Sequence, residues 1–430
     1  MNILMAHNRY QQSGGEDAVF EQESAMLMAA GHTVRRFRVD NDHIHGFAAK
    51  VAAGRAILVN KTAVRALLDA IGDNRPDIVH IHNFFPTLSP GAIDAVARRG
   101  VPVVVTLHNY RLICPSAQLL RQDRPCEECL GASRMPAVWH GCYHGSRIGT
   151  ALVATMGWYC KRLLHRYSSR VTLIALTEFA KSRFVADGFT PDNIVVRGNS
   201  IADPGPGATV REPRIVYAGR LSPEKGVNTL LRATQDLDIA VEIIGDGPDG
   251  PRLRAMAAAN AVFRGQLPPA QVIERLKSAT ALVVPSRWYE GFPMVVLEAM
   301  ATGTPVLASR LGSLAEIIRD GETGHLVAPD DLAAWRAALS QLVAEPWDAR
   351  RLGDQARARF LEQHSTASGA ATLTAIYQQA RAKLNPGNTT CPDPRSPGPG
   401  PAAKRPDHKP TLIPADRPHR DSPAPGTEDP

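Results

Sequence analysis

Apolar and polar positions run along the chain in blocks. Short apolar runs occur at Asn2–Ala6, Thr33–Val39, Asp77–His82, Pro102–Leu107, Thr172–Leu176 and Asn193–Val196, separated by helix-like stretches such as Glu16–Ala30 and Ser89–Arg99. Continuous apolar strands between helices predict a parallel sheet covered on both faces. The pattern stops at residues 199–213, NSIADPGPGATVREP, a Gly/Pro linker. It restarts with Arg214–Ala218, Ile239–Ile244, Ala261–Phe263, Ala281–Val284, Pro305–Ala308 and His325–Val327, with helices such as Glu224–Thr234 and Pro293–Thr302 between. Two doubly wound α/β halves, residues 1–198 and 214–384, are expected to face one cleft with the loops beyond their strands' carboxyl ends. No repeat of 20–50 residues is visible, which excludes a solenoid.

Residues 385–430 carry 13 of the 34 prolines, mixed with Gly, Asp, Arg and His. That composition cannot bury enough apolar surface to offset its ordering entropy, so a disordered tail is expected. Across all 430 residues the chain is 44% hydrophobic and 21% charged, as in an ordinary globular protein. No apolar stretch reaches the length of a spanning helix, and Met1–Tyr10 reads as a first strand rather than a signal peptide. A cytoplasmic protein with reduced cysteines is expected. The net charge of +7 lies wholly in residues 1–200, where 23 Lys and Arg face 16 Asp and Glu. A basic half can meet anionic lipid, nucleic acid or a phosphorylated substrate.

The sharpest chemical signal is Glu290-Gly291-Phe292-Pro293 followed by Glu298, in RWYEGFPMVVLEAM. Glu290 falls in the loop before a helix that starts near Pro293, and Glu298 lies about one and a half turns inside. A helix start favours an anion such as phosphate. Two carboxylates beside a phosphate make sense if they accept hydrogen bonds from sugar or ribose hydroxyls. A second signal is Arg220 with Lys225, in YAGRLSPEKGV, on the loop after Arg214–Ala218. Those two cations are placed to neutralise a diphosphate.

Together these residues resemble the donor half of a retaining glycosyltransferase of family 4, with the GT-B fold of two Rossmann-like domains. Glu290 and Glu298 match the family's E-x7-E motif, Arg220 and Lys225 its diphosphate-binding pair, and GDGP, GTPV and GETGHLV also fit. The match spans residues 1–384 and is most specific over 214–330. The resemblance implies transfer of a hexose from a nucleotide-sugar, with retention and without a metal in the chemical step, in cell-surface polysaccharide or glycolipid synthesis. Glu290 is implied to hold donor sugar hydroxyls and Glu298 those of the ribose, with Gly291, Phe292 and Pro293 at the donor. In the first half, Gly15 in the Gly14-Gly15 loop is implied to approach the diphosphate, and His108, ending VVVTLHNY, to contact the donor sugar. His80 and His82 receive no role. The acceptor is expected to be a saccharide or lipid-linked. Two other readings stay open: a GT-B sugar-nucleotide epimerase or hydrolase, and a silent binding scaffold. Gly245 to Gly250 forms a literal G-x-G-x-x-G, but it follows the second strand of the second half and carries Pro248, which argues against a dinucleotide fingerprint.

Two features lie outside that pattern. Cys114, Cys126, Cys129 and Cys142 are spaced C-x11-C-x2-C-x12-C in a loop, about 109–146, without evident regular structure. The spacing suits a structural zinc with four thiolates; oxidised pairs and unligated thiols are the rivals. No basic recognition helix accompanies it, so nucleic acid is not an expected partner. Residues 147–170 read as an amphipathic helix, with Ile148, Leu152, Met156, Tyr159 and Leu163 on one face. It is rich in cations (Lys161, Arg162, Arg166 and Arg170, with Lys181 beyond), and no acid occurs between Glu128 and Glu178. Such a helix can lie on an anionic membrane, here the inner face.

Overall fold

The computed structural model describes residues 1–9, 14–41 and 46–384; the proline-rich tail and part of the loop before Gly14 lie outside them. In the first half, strands β1 (Asn2–Arg9), β2 (Thr33–Asp40), β3 (Ile78–Asn83), β4 (Val103–Leu107), β7 (Val171–Ala175) and β8 (Ile194–Val196) form a parallel sheet in the order β2-β1-β3-β4-β7-β8. Its helices are α1 (Gly15–Ala29), α2 (Gly46–Ala56), α3 (Lys61–Ile71), α4 (Gly91–Arg98), α5 (Met135–His140), α6 (Arg147–Arg166) and α7 (Glu178–Ala186). A two-stranded hairpin, β5 (Leu120–Arg121) and β6 (Arg124–Pro125), stands apart. The second half repeats the plan with β9 (Glu212–Ala218), β10 (Ala240–Ile244), β11 (Ala261–Gly265), β12 (Ala279–Val284), β13 (Val306–Ser309) and β14 (Gly324–Val327), ordered β11-β10-β9-β12-β13-β14. Around it lie α8 (Val227–Thr234), α9 (Gly250–Met256), α10 (Pro269–Ser278), α11 (Met294–Ala301), α12 (Leu314–Ile317), α13 (Leu332–Ala344), α14 (Pro346–Gln363) and α15 (Thr366–Ala382).

The inner strands of both sheets are buried on both faces, which is why they read as near-continuous apolar runs, whereas the edge strands β2 and β11 carry exposed positions. In the first, Leu4, Val79, Ile81, Val103 and Val105 pack with Leu67, Ile93 and Phe184. The alternate positions Ile3, Met5, Ile78, Val104 and Ile174 pack with Phe20 and Leu27 of α1. In the second, Val216, Leu282 and Val306 pack with Leu297 and Phe360, while Ile215, Val241 and Val283 pack with Leu230 and Trp335.

Four sequence expectations change. First, α15 does not stay with the second half: Leu373, Ile376 and Tyr377 fill the first sheet's α1 face. The Tyr377 hydroxyl hydrogen-bonds His80 Nδ1 at 2.7 Å, and Arg381 pairs with Asp77 at 3.1 Å. Second, the end of the 199–213 linker belongs to the second sheet, because β9 begins at Glu212. Arg211 donates to the carbonyls of Leu276, Ala279 and Gly303 at 3.1, 3.0 and 2.6 Å. Third, the expected helix Glu224–Thr234 is broken at Gly226, whose φ of 67° ends a 3-10 turn, Pro223–Lys225, before α8. Fourth, the cysteine-bearing loop contains regular structure, the β5–β6 hairpin and α5.

Candidate functional site

The loop after β12 and the turn after β9 are locked together by backbone. A Cβ on Gly226 would stand 1.9 Å from the Pro285 carbonyl, and Arg287 N–H donates to the Glu224 carbonyl at 2.8 Å. The β10–α9 turn closes in the same way. Gly245, at φ 132°, would bring a Cβ within 1.9 Å of the Gly219 carbonyl, and a Cβ on Gly247 would stand 2.3 Å from that of Leu221. These glycines serve backbone-to-backbone contact under the Arg220 loop, so the G-x-G-x-x-G pattern has a packing explanation.

That packing sets Lys225 on Glu290. The ammonium donates to Glu290 Oε1 at 2.9 Å and Oε2 at 3.0 Å, and the Ser286 hydroxyl donates to Oε1 at 2.5 Å. Glu290 is buried, and Lys225 lies 5.1 Å from the Trp288 ring centroid. Arg220 is exposed at the rim, and its carbonyl accepts from the Tyr217 hydroxyl at 2.8 Å. Pro293 is the N-cap of α11 rather than its first residue, and Glu298 is the fifth residue of the helix. Burial pushes the Glu298 carboxyl up to about 7. Among the described residues its side chain has no hydrogen-bond partner, so it is a poorly solvated acceptor.

The first half meets this loop directly. A Cβ on Gly291 would stand 2.8 Å from the His108 carbonyl, so only glycine allows the two halves this approach. A Cβ on Gly15, at the start of α1, would meet the side chain of Met294, the first residue of α11, at 3.7 Å. Phe292 packs on the His364 ring, with centroids 5.5 Å apart. His108 Nε2 faces His82 Nδ1 at 3.1 Å, and burial holds both imidazoles below the usual histidine range. The fold thus gathers Gly15, His108, Lys225, Glu290, Gly291, Phe292, Pro293 and Glu298 at one seam, with Arg220 at its edge.

Several residues that support the seam received no role from the sequence. His82 lies 3.4 Å from Glu23, which pairs with Arg197, and Asn109 donates to Glu16 at 2.6 Å. Glu316 of α12 accepts the N–H groups of Glu178 and Phe179 at 2.8 Å each, capping α7 of the opposite half. Their only signal was polarity inside apolar strands or helix starts.

The family profile for "Glycosyl transferases group 1" matches residues 203–359, and that for the "Glycosyl transferase 4-like domain" matches 14–200. The chain belongs to this glycosyltransferase family. The chain is 35% identical over 185 residues to MMP alpha-(1->4)-mannosyltransferase of Mycolicibacterium hassiacum, covering 41% of this chain and 45% of that one. It is 27% identical over 377 residues to glycogen synthase of Mycobacterium tuberculosis, covering 84% and 81%. The chain spans about half the length of the first of these relatives, and 58% of alpha-maltose-1-phosphate synthase of Mycolicibacterium smegmatis. Solved GT-B structures share its fold. Sucrose-phosphate synthase from Thermosynechococcus elongatus superposes with a TM-score of 0.67 at 19% identity, covering 89% of this chain and all of that one. Anabaena HepE in complex with UDP-glucose gives 0.61 at 15% identity, covering 88% and 100%.

Proposed function

We propose that the protein transfers a hexose from a nucleoside-diphosphate sugar, with retention of anomeric configuration, to a saccharide or lipid-linked acceptor. The observation that carries this reading is the convergence of Lys225, Glu290 and Glu298 at the start of α11, opposite His108 and Gly15. In the reaction the bond from the anomeric carbon to the diphosphate breaks and its electron pair goes to the phosphate. The acceptor hydroxyl oxygen bonds that carbon, and its proton passes to the departing diphosphate oxygen. Negative charge builds on the diphosphate, where Lys225, Arg220 and the α11 N-terminus stabilise it. Glu290, fixed by Ser286 and Lys225, accepts sugar hydroxyls, and Glu298 accepts ribose hydroxyls. The bound UDP-glucose of HepE and the mannosyl- and glucan-forming names of the relatives favour a hexose donor.

A panel of nucleoside-diphosphate sugars, assayed for diphosphate release with and without saccharide or lipid-linked acceptors, tests the reading. Release that requires acceptor supports transfer, and product anomeric configuration by NMR tests retention. Equal release without acceptor points to a hydrolase or epimerase instead.

The proposed acceptor side is an anionic membrane face. Among the described residues no helix is long and apolar enough to cross a membrane. The face of α6 expected from the sequence splits: Met156 and Leu163 are buried, whereas Ile148 and Leu152 are exposed. The outward face also carries Trp158, with the Arg162 guanidinium 4.8 Å from its centroid. Met135 and Trp139 of α5 stand exposed before it, with Arg147 over Trp139 at 5.6 Å. Aromatic rings beside arginines suit the interfacial region of a bilayer. Lys161 and Arg170 leave the expected cation set, because Lys161 bonds the Asp187 carbonyl and Arg170 donates to the Ala97 carbonyl at 2.8 Å. Arg162 and Arg166 of that set stay exposed, and Arg147, also exposed, joins them.

A further inference from the structure

Four cysteines from separate turns converge on one small cavity in the first half. Cys114 follows the His108 strand end, Cys126 and Cys129 follow the β5–β6 hairpin, and Cys142 lies just past α5. With Ser116, Leu119, Ala137 and His140 they line a cavity of about 20 Å³. That is room for a single water-sized occupant. All four are free thiols. Backbone bonds fix three of them: Cys114 N–H to the Tyr110 carbonyl at 2.7 Å, Cys126 N–H to that of Leu119 at 2.7 Å and Cys142 N–H to that of Ala137 at 3.1 Å.

The backbone between the first two cysteines is strained. Ala117 and Leu119 hold φ of 68° and 49°, in the left-handed region that costs such residues about 1 kcal/mol or more. Gln122 and Asp123, also left-handed, are accounted for by the two-residue turn between β5 and β6. No comparable turn explains Ala117 and Leu119, which flank the cavity's Cys114 and Cys126 side.

We propose that Cys114, Cys126, Cys129 and Cys142 bind one zinc ion as four thiolates. Each thiol loses its proton to solvent on ligation. Four protein ligands leave no open position, so the ion is structural. No three of the sulfurs lie within 4.8 Å of one another, and tetrahedral ligation at about 2.3 Å from the metal draws them to about 3.8 Å. The ion would clamp a loop that reaches the seam. Glu127, between two of the ligands, accepts from Arg183 of α7 at 2.8 and 2.7 Å and lies within reach of Tyr289, the residue before Glu290.

The test is metal analysis of the full chain purified without chelator, with stepwise titration of the thiols by a mercurial and optical detection of released zinc. About one zinc per chain, released as four thiols react, is expected. Cobalt substitution should give strong thiolate charge-transfer and visible d–d bands. Cys126→Ser should lose at least half the metal, while Cys391→Ser in the tail keeps it. Removing zinc from the wild-type chain should lower Tm and speed proteolysis within residues 115–145. A zinc content near zero with no cobalt spectrum, or disulfides found by alkylation and mass analysis, overturns the proposal. The wild-type measurement stands even if Cys126→Ser fails to fold.

Discussion

The Lys225 ammonium donates to both oxygens of Glu290, across 65 residues of chain. The two groups sit at the mouth of the seam, Glu290 buried and Lys225 partly exposed. A diphosphate arriving beside α11 would compete for the same ammonium. Lys225→Ala should therefore lower kcat/KM by at least tenfold, the loss of one charge-assisted hydrogen bond of about 1.5–3 kcal/mol. It should also cost stability, because among the described residues Glu290 then keeps the Ser286 hydrogen bond alone. A double-mutant cycle of Lys225→Ala with Glu290→Ala should be non-additive by about 1 kcal/mol or more in chemical denaturation. Additive effects would detach the pair from each other.

Glu298 predicts a pH dependence. Its folded-state value of about 7 lies above the ordinary 4.5, so burying it costs little below pH 4.5, progressively more up to pH 7, and a constant amount above. Glu298→Gln should then raise stability at pH 8 by about 1–3 kcal/mol and by much less at pH 5, read from denaturant midpoints. If ribose hydroxyls donate to the carboxylate, nucleotide affinity should rise from pH 6 to 8 by up to about tenfold in the wild type. Calorimetry on Glu298→Gln should show that rise abolished and the affinity weakened. A variant that binds nucleotide as well as the wild type at pH 8 would remove Glu298 from the donor site.

Gly291 tests the contact between the halves. Its missing Cβ is what lets the Glu290 loop lie against the His108 carbonyl. Gly291→Ala should push the two apart by several tenths of an ångström, cutting kcat at least tenfold while Tm falls by only a few degrees. Unchanged kcat would mean that this approach is not needed in the reactive state.

The outer face of α6 predicts reversible lipid binding. Each arginine near an anionic leaflet contributes about 1 kcal/mol, weakened by salt beyond a Debye length of about 8 Å. Co-sedimentation with phosphatidylserine vesicles should fall as salt rises. Arg162→Glu/Arg166→Glu should abolish it, and Trp158→Ala should weaken it while leaving acceptor-free donor binding intact. A wild-type chain that ignores such vesicles at low salt would favour a soluble acceptor.

Parallel sheets and the donor motifs were legible early because both write themselves locally. A strand buried on both faces is mostly apolar, and the Glu290–Glu298 spacing is set by one loop and one helix. β1 continues to Arg9, but its apolar run ends at Ala6, since His7 and Asn8 are polar. They are buried all the same: His7 bonds Asp17 at 2.8 Å, and Asn8 Oδ1 accepts the Thr87 and Leu88 N–H groups at 2.8 and 3.0 Å.

What the sequence alone determined was the doubly wound plan of each half and the cations and carboxylates of the donor loops. Only the tertiary structure decided which of them touch. The return of α15 to the first sheet depends on Tyr377 finding His80 across 297 residues. The Lys225–Glu290 pair depends on Gly226 yielding its side-chain space to the Pro285 carbonyl. The free cations of α6 depend on Asp187 having taken Lys161. Each is a contact between segments distant in the chain. Periodicity reports only which face of an element is apolar, not which partner that face or its polar neighbours will meet.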